Sequence, residues 1–339
     1  MSTKNRVVRL QKRPVGEVAA GDFAIVEEPL AEPREGEIRV RIDYVSLDPA
    51  MRGWIAEGRS YVEPVPLGDV MRAYAAGHVE LSRNPKFAAG DAVTGLLGVQ
   101  SHAISDGRGV LKVDASAAPL PTWLGGLGMP GHTAYFGLKH VAGVKPGDTV
   151  VVSAASGAVG QVVGQLARIA GCRAVGIAGG AKKCAFVKDT LGFDACIDYK
   201  AEKDLAAAVK AACPNGVDVY FDNVGGVVSD AVLANLNFYA RVALCGSISQ
   251  YNTAEPGPRL MGTFVGKRVT ARGFIVWDFN AKYGPALRQM GEWIRSGRLK
   301  FREDIVEGID KAPRAFIGLL RGENFGKLQV KLGPDPGAR

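Results

Sequence analysis

The sequence predicts an α/β protein in which a β-rich domain precedes a doubly wound parallel sheet and the end of the chain returns to the first domain. Three observations carry this. Residues 148–183, DTVVVSAASGAVGQVVGQLARIAGCRAVGIAGGAKK, run strand, glycine-rich turn, helix, strand. From there to residue 276 strand and helix patterns alternate strictly, which means a parallel sheet covered on both faces. Before residue 148 the apolar stretches are short, alternate with polar residues and are separated by Pro and Gly, as in an irregular β domain.

Taken in order, NRVVRL, DFAIVEEPL and GEIRVRIDYVSL within residues 5–45 read as strands. The segment Asp48-Pro49-Ala50-Met51-Arg52-Gly53-Trp54 breaks the pattern with a proline and bulky side chains suited to lining a cleft. Met51, Arg52 and the nearby Tyr61 are therefore candidates for a substrate wall. Strands are expected over Ala73–Leu81 and Asp91–Val99, joined by a turn at 84–91. Residues 119–143 change character to Gly/Pro punctuation and then a helical stretch from Thr133 to Val141, with Tyr135 a further wall candidate. The domain boundary belongs here, giving 1–125 with 300–339 as one domain and 126–299 as the other.

Val150, Val151 and Val152 form the β-branched run of a buried parallel strand. The turn Ala155-Ser156-Gly157-Ala158-Val159-Gly160 follows it, with Ala155 in place of the usual first glycine. Gly157 lets backbone approach a pyrophosphate, Gly160 lets the next helix pack close, and the helix N-terminus offers free N–H groups and positive dipole. Apolar residues at 162, 163, 166 and 169 continue as a helix, and 174–178 is a second strand. A site for NAD would carry Asp or Glu at the end of that strand; Ala178-Gly179-Gly180-Ala181-Lys182-Lys183 stands there instead. The missing carboxylate and the lysine pair favour a 2′-phosphate, hence NADP; the bland alternative is two surface lysines at a helix start. Further strands are expected at 195–198, 217–222, 240–245 and 269–276, with helices at 202–213, 226–236 and 281–296. Residues 301–332, with an amphipathic helix over Ala312–Leu320, complete the first domain, and the tail 333–339 reads as disordered.

In a doubly wound sheet the ligand lies beyond the carboxyl ends of the strands. Three groups sit there: Asn223 in Phe221-Asp222-Asn223-Val224-Gly225-Gly226; the run Cys245, Gly246, Ser247, Ile248, Ser249, Gln250, Tyr251; and Phe274, Ile275, Val276. Singly each reads as turn chemistry or packing; their joint placement points to a nicotinamide site.

A chain of 339 residues with 47% hydrophobic and 22% charged residues has room for two ordinary globular domains. The net charge of +8 is spread along the chain, and the one basic run, Lys4, Arg6, Arg9, Lys12 and Arg13, lacks interleaved aromatics, which argues against nucleic acid. Five widely spaced cysteines, all from Cys172 onward, read as reduced core residues. Gly77-His78-Val79-Glu80 faintly resembles an element of zinc alcohol dehydrogenases, but no cysteine precedes Cys172 to complete a metal site. No apolar run is long enough to span a membrane and no signal peptide is evident, so a cytoplasmic enzyme without a membrane partner is expected.

Taken together, Ala154–Gly160, Phe221–Gly226, Cys245–Asn252, Gly128–Leu138 and Gly322–Lys327 resemble the zinc-independent medium-chain dehydrogenase/reductases, in particular the branch of prostaglandin reductases, alkenal double-bond reductases and bacterial curcumin reductases. The resemblance spans nearly the whole chain, from the Ser46–Arg52 element to Lys327. It implies a GroES-like β domain, a Rossmann domain and a homodimer. It also implies NADPH contacts at Lys183 (2′-phosphate), Tyr199 (adenosine side), Asn223, the 245–251 loop, residues 274–276 and Asn324. The expected reaction is NADPH-dependent reduction of a carbon–carbon double bond conjugated to a carbonyl, with the Tyr251 phenol as donor to the carbonyl oxygen. A quinone oxidoreductase of the same superfamily and a non-catalytic NADPH sensor are the competing readings.

Overall fold

The β-branched and alternating segments of the first hundred residues form strands, and the computed structural model describes residues 4–58, 60–253 and 261–333. The chain divides into two units, Met1–Gly125 with Glu303–Arg339, and Gly126–Arg302. The first begins with β1 (Lys4–Leu10), β2 (Phe23–Pro29), β3 (Ile38–Ser46), α1 (Met51–Trp54), β4 (Ala75–Ser82), β5 (Ala92–Gly95), β6 (His102–Ser105), β7 (Leu111–Lys112) and α2 (Leu120–Leu124). The basic N-terminal run lies largely on β1 and pairs with acidic neighbours: Lys4 with Glu27 at 2.9 Å, Arg9 with Glu28 at 2.7 Å, and Arg6 with Asp310.

The second unit holds α3 (Met129–Phe136), β8 (Thr149–Ser153), α4 (Gly160–Ile169), β9 (Arg173–Ala178), α5 (Ala181–Ala185), β10 (Ala195–Asp198), α6 (Leu205–Ala212), β11 (Val217–Asp222), α7 (Gly226–Leu233), β12 (Leu236–Leu244), α8 (Met261–Lys267), β13 (Thr270–Gly273) and α9 (Tyr283–Arg295). Its six strands are parallel in the order β10-β9-β8-β11-β12-β13. Strand order reverses beside β8, the switch point where such sheets bind ligands. Val150, Val151 and Val152 are fully buried, as a central strand covered on both faces requires. The chain then returns through β14 (Glu303–Glu307), α10 (Ala312–Leu320) and β15 (Lys327–Lys331), which extend the first unit's sheet to the order β14-β15-β3-β4-β5-β7, with β6 against β3.

The structure differs from sequence expectation at several element ends, each for a local reason. Helix α7 stops at Leu233 because the Asn235 side chain donates to the Ala231 and Ala206 carbonyls. Strand β13 ends at Gly273 rather than continuing to Val276: the Ile275 N–H turns to the Asp278 carboxylate and a 3₁₀ turn runs from Val276 to Lys282. Strand β5 ends at Gly95, before a bend through Gly98 at φ 79°. The helix expected over 133–141 begins earlier, at Met129, and loosens into a π turn over Gly137–Val141. Of the tail 333–339, residues 334–339 lie outside the described residues.

Two buried polar groups define the frame of each unit. In the second, Gln161 and Gln165 on α4 pair like a strand with the extended segment 300–302: Arg302 N–H donates to Gln161 Oε1 at 2.7 Å and Lys300 N–H to Gln165 Oε1 at 2.8 Å. In the first, Lys327, 1% exposed along its side chain, donates to Leu47 O at 2.8 Å and Asp48 Oδ1 at 2.7 Å. A buried ammonium with both a carboxylate and a carbonyl to meet is satisfied rather than orphaned.

Candidate active site

Where β8 ends, Ala154 takes φ 51°, a left-handed conformation that costs a non-glycine residue about 1–2 kcal/mol. The bend folds the turn back on itself, with Gly157 N–H donating to Ala154 O at 2.9 Å and Gln161 N–H to Gly157 O at 3.0 Å. The two glycines have different reasons to be there. A methyl on Gly160 would lie 2.2 Å from Ala154 O and 2.8 Å from Ala154 C, so the helix packs on the strand only without a side chain. A methyl on Gly157 would meet Ala154 O at 3.1 Å and otherwise only Ala154 Cβ at 3.9 Å. Its Cα face is therefore nearly open, as a pyrophosphate approaching backbone needs. Ala155 is fully buried beneath the turn, whereas Ala158 and Val159 are half-buried along the approach to α4, whose ten residues supply dipole and free N–H groups. These residues fit a dinucleotide pyrophosphate.

At the neighbouring strand ends, β9 stops at Ala178 and Gly180, φ 97°, leads into α5. Lys182 is exposed and Lys183 half-buried on that first turn. The Tyr199 ring covers Gly179, where an added methyl would stand 2.8 Å from Tyr199 Cε1. Lys182, Lys183 and Tyr199 are thus brought to one place. Asp198, overlooked in the sequence, holds them there: its Oδ1 accepts from Gly180 N–H at 2.7 Å and from Lys200 N–H at 3.1 Å. The signal available was its position as the last residue of a strand in a doubly wound sheet.

The groups after β11 and β12 are fastened together by Asp222. Its Oδ1 accepts from the Tyr220 hydroxyl at 2.8 Å, Ser153 Oγ at 3.3 Å, and the Val224 and Gly225 N–H groups, both at 2.9 Å. Its carbonyl accepts from Cys245 N–H at 2.8 Å and Gly246 N–H at 3.0 Å. Asn223 is held by Ser153, through N–H to Oγ at 2.9 Å and Nδ2 to the carbonyl at 2.8 Å. Farther along, Ile248 N–H reaches Asn223 O at 3.3 Å, and Ser249 meets Val224 O through N–H at 3.1 Å and Oγ at 2.6 Å. Burial, with the nearby Asp222 charge, pushes the Cys245 thiol up to about 12, so it stays protonated at neutral pH.

Tyr251 ends this loop half-buried, its hydroxyl oxygen accepting from Ser247 N–H at 3.4 Å and lying beside Gly246, where a methyl would be 2.9 Å away. Residues 274–276 join through Phe274, packed edge-on against Phe221 at 6.1 Å. The Val276 carbonyl accepts from the Tyr283 hydroxyl at 3.1 Å. Tyr135 is packed instead among Phe136, His140 and Trp293, its oxygen accepting from Lys139 at 3.0 Å. In the first unit, Met51 and Arg52 are 1% and 7% exposed, and Arg52 donates to Gly16 O at 3.0 Å. Tyr61 keeps 48% of its surface exposed while accepting from Trp54 Nε1 at 2.8 Å. Asn324 is half-buried, donates to Gly326 O at 2.8 Å and rims a depression of about 350 Å³ between α10 and β14.

The Gly77–Glu80 element is committed to structure. His78 Nδ1 lies 2.7 Å from the fully buried Asp43, Glu80 accepts from Arg39 at 2.8 Å, and a methyl on Gly77 would be 2.0 Å from Arg41 O. Among the described residues no group of three or more His, Cys, Asp or Glu is placed to hold a metal ion.

A phosphate turn at the switch point of a doubly wound sheet, paired with a separate β unit, defines a dinucleotide-dependent dehydrogenase or reductase. Comparison with known proteins agrees. Residues 6–113 match a family model described as "N-terminal domain of oxidoreductase", and 158–292 one described as "Zinc-binding dehydrogenase". The chain is 43% identical to the NADPH-dependent curcumin reductase of Escherichia coli (strain K12), over 98% of each protein, and 41% identical to prostaglandin reductase 1 of Mus musculus, over 95% of this chain and 97% of the relative. The crystal structure of CurA in complex with NADPH from Vibrio vulnificus superposes with a TM-score of 0.93 at 45% identity, covering 97% of this chain and 99% of that one. The chain belongs to the NADP-dependent medium-chain dehydrogenase/reductase family, alongside these curcumin and prostaglandin reductases.

Proposed function

We propose that the protein uses NADPH to reduce the carbon–carbon double bond of α,β-unsaturated ketones and aldehydes. The observation that carries this is the single hydrogen-bonded edge formed by the 223–225 and 245–251 loops, which sets a phenol on the same carboxyl edge as the phosphate turn. NADPH, when bound, supplies the hydride for the β-carbon. Gly157 to Gly160 and the start of α4 hold the pyrophosphate. Lys183, half-buried, holds the 2′-phosphate with the exposed Lys182 adding charge, and Tyr199 flanks the adenosine. Asn223, residues 245–249, 274–276 and Asn324 serve the nicotinamide end. As negative charge builds on the substrate's carbonyl oxygen, the Tyr251 hydroxyl turns from its Ser247 contact to donate a hydrogen bond there, and solvent protonates the α-carbon. Of the wall candidates, we assign Tyr61, which keeps accessible surface, rather than the packed Met51, Arg52 and Tyr135.

The reaction is read as zinc-independent. The sequence has no cysteine before Cys172, and His78 and Glu80 are already engaged by Asp43 and Arg39. A homodimer through β13 is supported by that strand's position at the sheet edge with all four residues exposed, next to exposed Phe238 and Tyr239 under the Arg268 guanidinium at 4.8 and 5.0 Å. A cytoplasmic location is inferred from five unpaired cysteines and from the absence, among the described residues, of any helix long and apolar enough to cross a membrane.

The test is the rate of NADPH and NADH oxidation against enals, enones, curcumin-like diketones and quinones. Turnover of enals and enones with NADPH is expected, and Tyr251→Phe is expected to lower kcat ~10-fold or more while NADPH affinity holds. Quinone turnover without enone turnover overturns the substrate class; NADPH binding without oxidation by any substrate leaves a sensor.

A further inference from the structure

The strand end that carries Lys182 and Lys183 is met from a second side. β10 runs beside β9 with Asp198 opposite Ala178, and the pairing continues one residue past both strands, Tyr199 N–H donating to Ala178 O at 3.1 Å. The chain then turns, the Ala201 and Glu202 N–H groups returning to Asp198 O at 3.0 and 3.2 Å. Tyr199 and Lys200 are left in that turn, over Gly179. A methyl on Gly179 would stand 2.8 Å from Tyr199 Cε1 and 3.0 Å from Lys200 Cε, so the lysine stem lies across the glycine beside the tyrosine ring. The Lys200 ammonium is one C–N bond of about 1.45 Å farther on. No acidic side chain draws it there: Asp198 Oδ1 is taken by the Gly180 and Lys200 N–H groups at 2.7 and 3.1 Å, and among the described residues no carboxylate forms an ion pair with Lys182 or Lys200. Three lysines thus leave one strand end, two through α5 and one from the turn after β10.

We propose that Lys200 binds the 2′-phosphate of NADPH together with Lys183 and so sets part of the preference for NADPH over NADH; this rests on placing that phosphate at the end of β9. A phosphate monoester carries a charge of about −1.5 to −2 at neutral pH and three strong acceptor oxygens, more than one ammonium meets. The lysine head, a compact charge with three donors on a flexible stem, suits a point contact to one of those oxygens. Because the stem already rests on Gly179 and beside the Tyr199 ring, part of its rotamer freedom is lost before the phosphate arrives. NADH offers a neutral 2′-hydroxyl at the same place and gives the ammonium no charge to meet. Gly179 belongs to the same device, since a side chain there would occupy the path that the lysine stem takes.

The experiment measures binding to the full chain, by fluorescence titration for NADPH and NADH and by calorimetry for adenosine 2′,5′-bisphosphate and AMP, the last pair isolating the phosphate from the nicotinamide end. Lys200→Met keeps an unbranched stem and removes the charge. It is expected to bind NADPH and adenosine 2′,5′-bisphosphate roughly 5-fold or more weakly, with NADH and AMP unchanged. The fall of NADPH affinity with added salt should also become shallower. Lys200→Arg keeps the charge and should retain most of the wild-type NADPH affinity. Wild-type NADPH affinity in Lys200→Met, or equal losses for NADPH and NADH, overturns the proposal. If Lys183→Ala weakens NADPH selectively while Lys200→Met does not, the phosphate stands at the end of β9 and only the role of Lys200 fails. If neither variant separates NADPH from NADH, the placement of the phosphate fails and Lys200 with it.

Discussion

Substituting the two glycines of the phosphate turn separates folding from binding. In Gly160→Ala the new methyl meets only backbone: Ala154 O at 2.2 Å, Ala154 C at 2.8 Å and Ala155 Cα at 2.9 Å. Carbon pairs pack best at about 3.5–4.0 Å, so helix and strand must separate. Overpacking of this kind costs about 1–3 kcal/mol, and with no flexible side chain to yield the upper end is expected. For a unit of this size that lowers Tm by roughly 6–12 °C. In Gly157→Ala the closest approach is 3.1 Å, a few tenths of an ångström of adjustment at a residue whose φ is not in the left-handed region. The small strain is offset by about 0.4–1 kcal/mol from the reduced freedom of the unfolded chain, so Tm should hold. The methyl, however, covers the face a pyrophosphate must approach. Losing one hydrogen bond to a charged group costs about 2 kcal/mol, or ~30-fold in NADPH affinity. Calorimetry and NADPH fluorescence titration of both variants read the two effects. Wild-type NADPH affinity in Gly157→Ala refutes the cradle, and an unchanged Tm in Gly160→Ala refutes the packing argument.

Further substitutions probe the rest of the molecule. Lys183→Ala should weaken NADPH roughly 10-fold or more while leaving NADH unaffected, with a smaller loss for the exposed Lys182→Ala; equal losses for both nucleotides would place these side chains away from the 2′-phosphate. Burial pushes the Glu303 carboxyl up to about 7, opposed by a hydrogen bond from Thr122. Between about 4.3 and that value the folded protein holds a proton the unfolded chain has lost, so this group's contribution is fully present at lower pH and disappears as pH rises through 7. Glu303→Gln, always neutral, should match wild type in urea melts near pH 4 and exceed it at pH 8 by on the order of 3–4 kcal/mol; a constant difference across pH would show that Glu303 is not the titrating group. Lys327→Met leaves Asp48 buried without its ammonium and should cost about 3–5 kcal/mol in the same melts, much of it regained on adding Asp48→Asn.

The sheet was legible because a central parallel strand must be apolar on both faces, as Val150–Val152 announce by composition; 217–222 was legible from the alternation of strand and helix patterns, and it matches β11 residue for residue. The amphipathic helix over Ala312–Leu320 was legible from its single apolar stripe, and α10 has those bounds. What periodicity does not carry is where an element stops when a polar side chain arrives from elsewhere. Asn235, which ends α7, and Asp278, which turns the chain after β13, each act on backbone through one or two hydrogen bonds, and nothing in the apolar pattern registers them.

The candidate site divides along the same line. Gly157, Asn223 and Tyr251 were proposed from their places after strands, and they follow β8, β11 and β12. Asp222 was read only as part of a motif, yet one oxygen of its carboxylate gathers a phenol, a serine hydroxyl and two backbone N–H groups from β8, β11 and the following turn. A charge so buried is tolerable only with several donors, and their convergence leaves the turn one conformation. Because its carbonyl also binds the two N–H groups that open the 245–251 loop, the position of Tyr251 is inherited from Asp222 through Cys245 and Gly246.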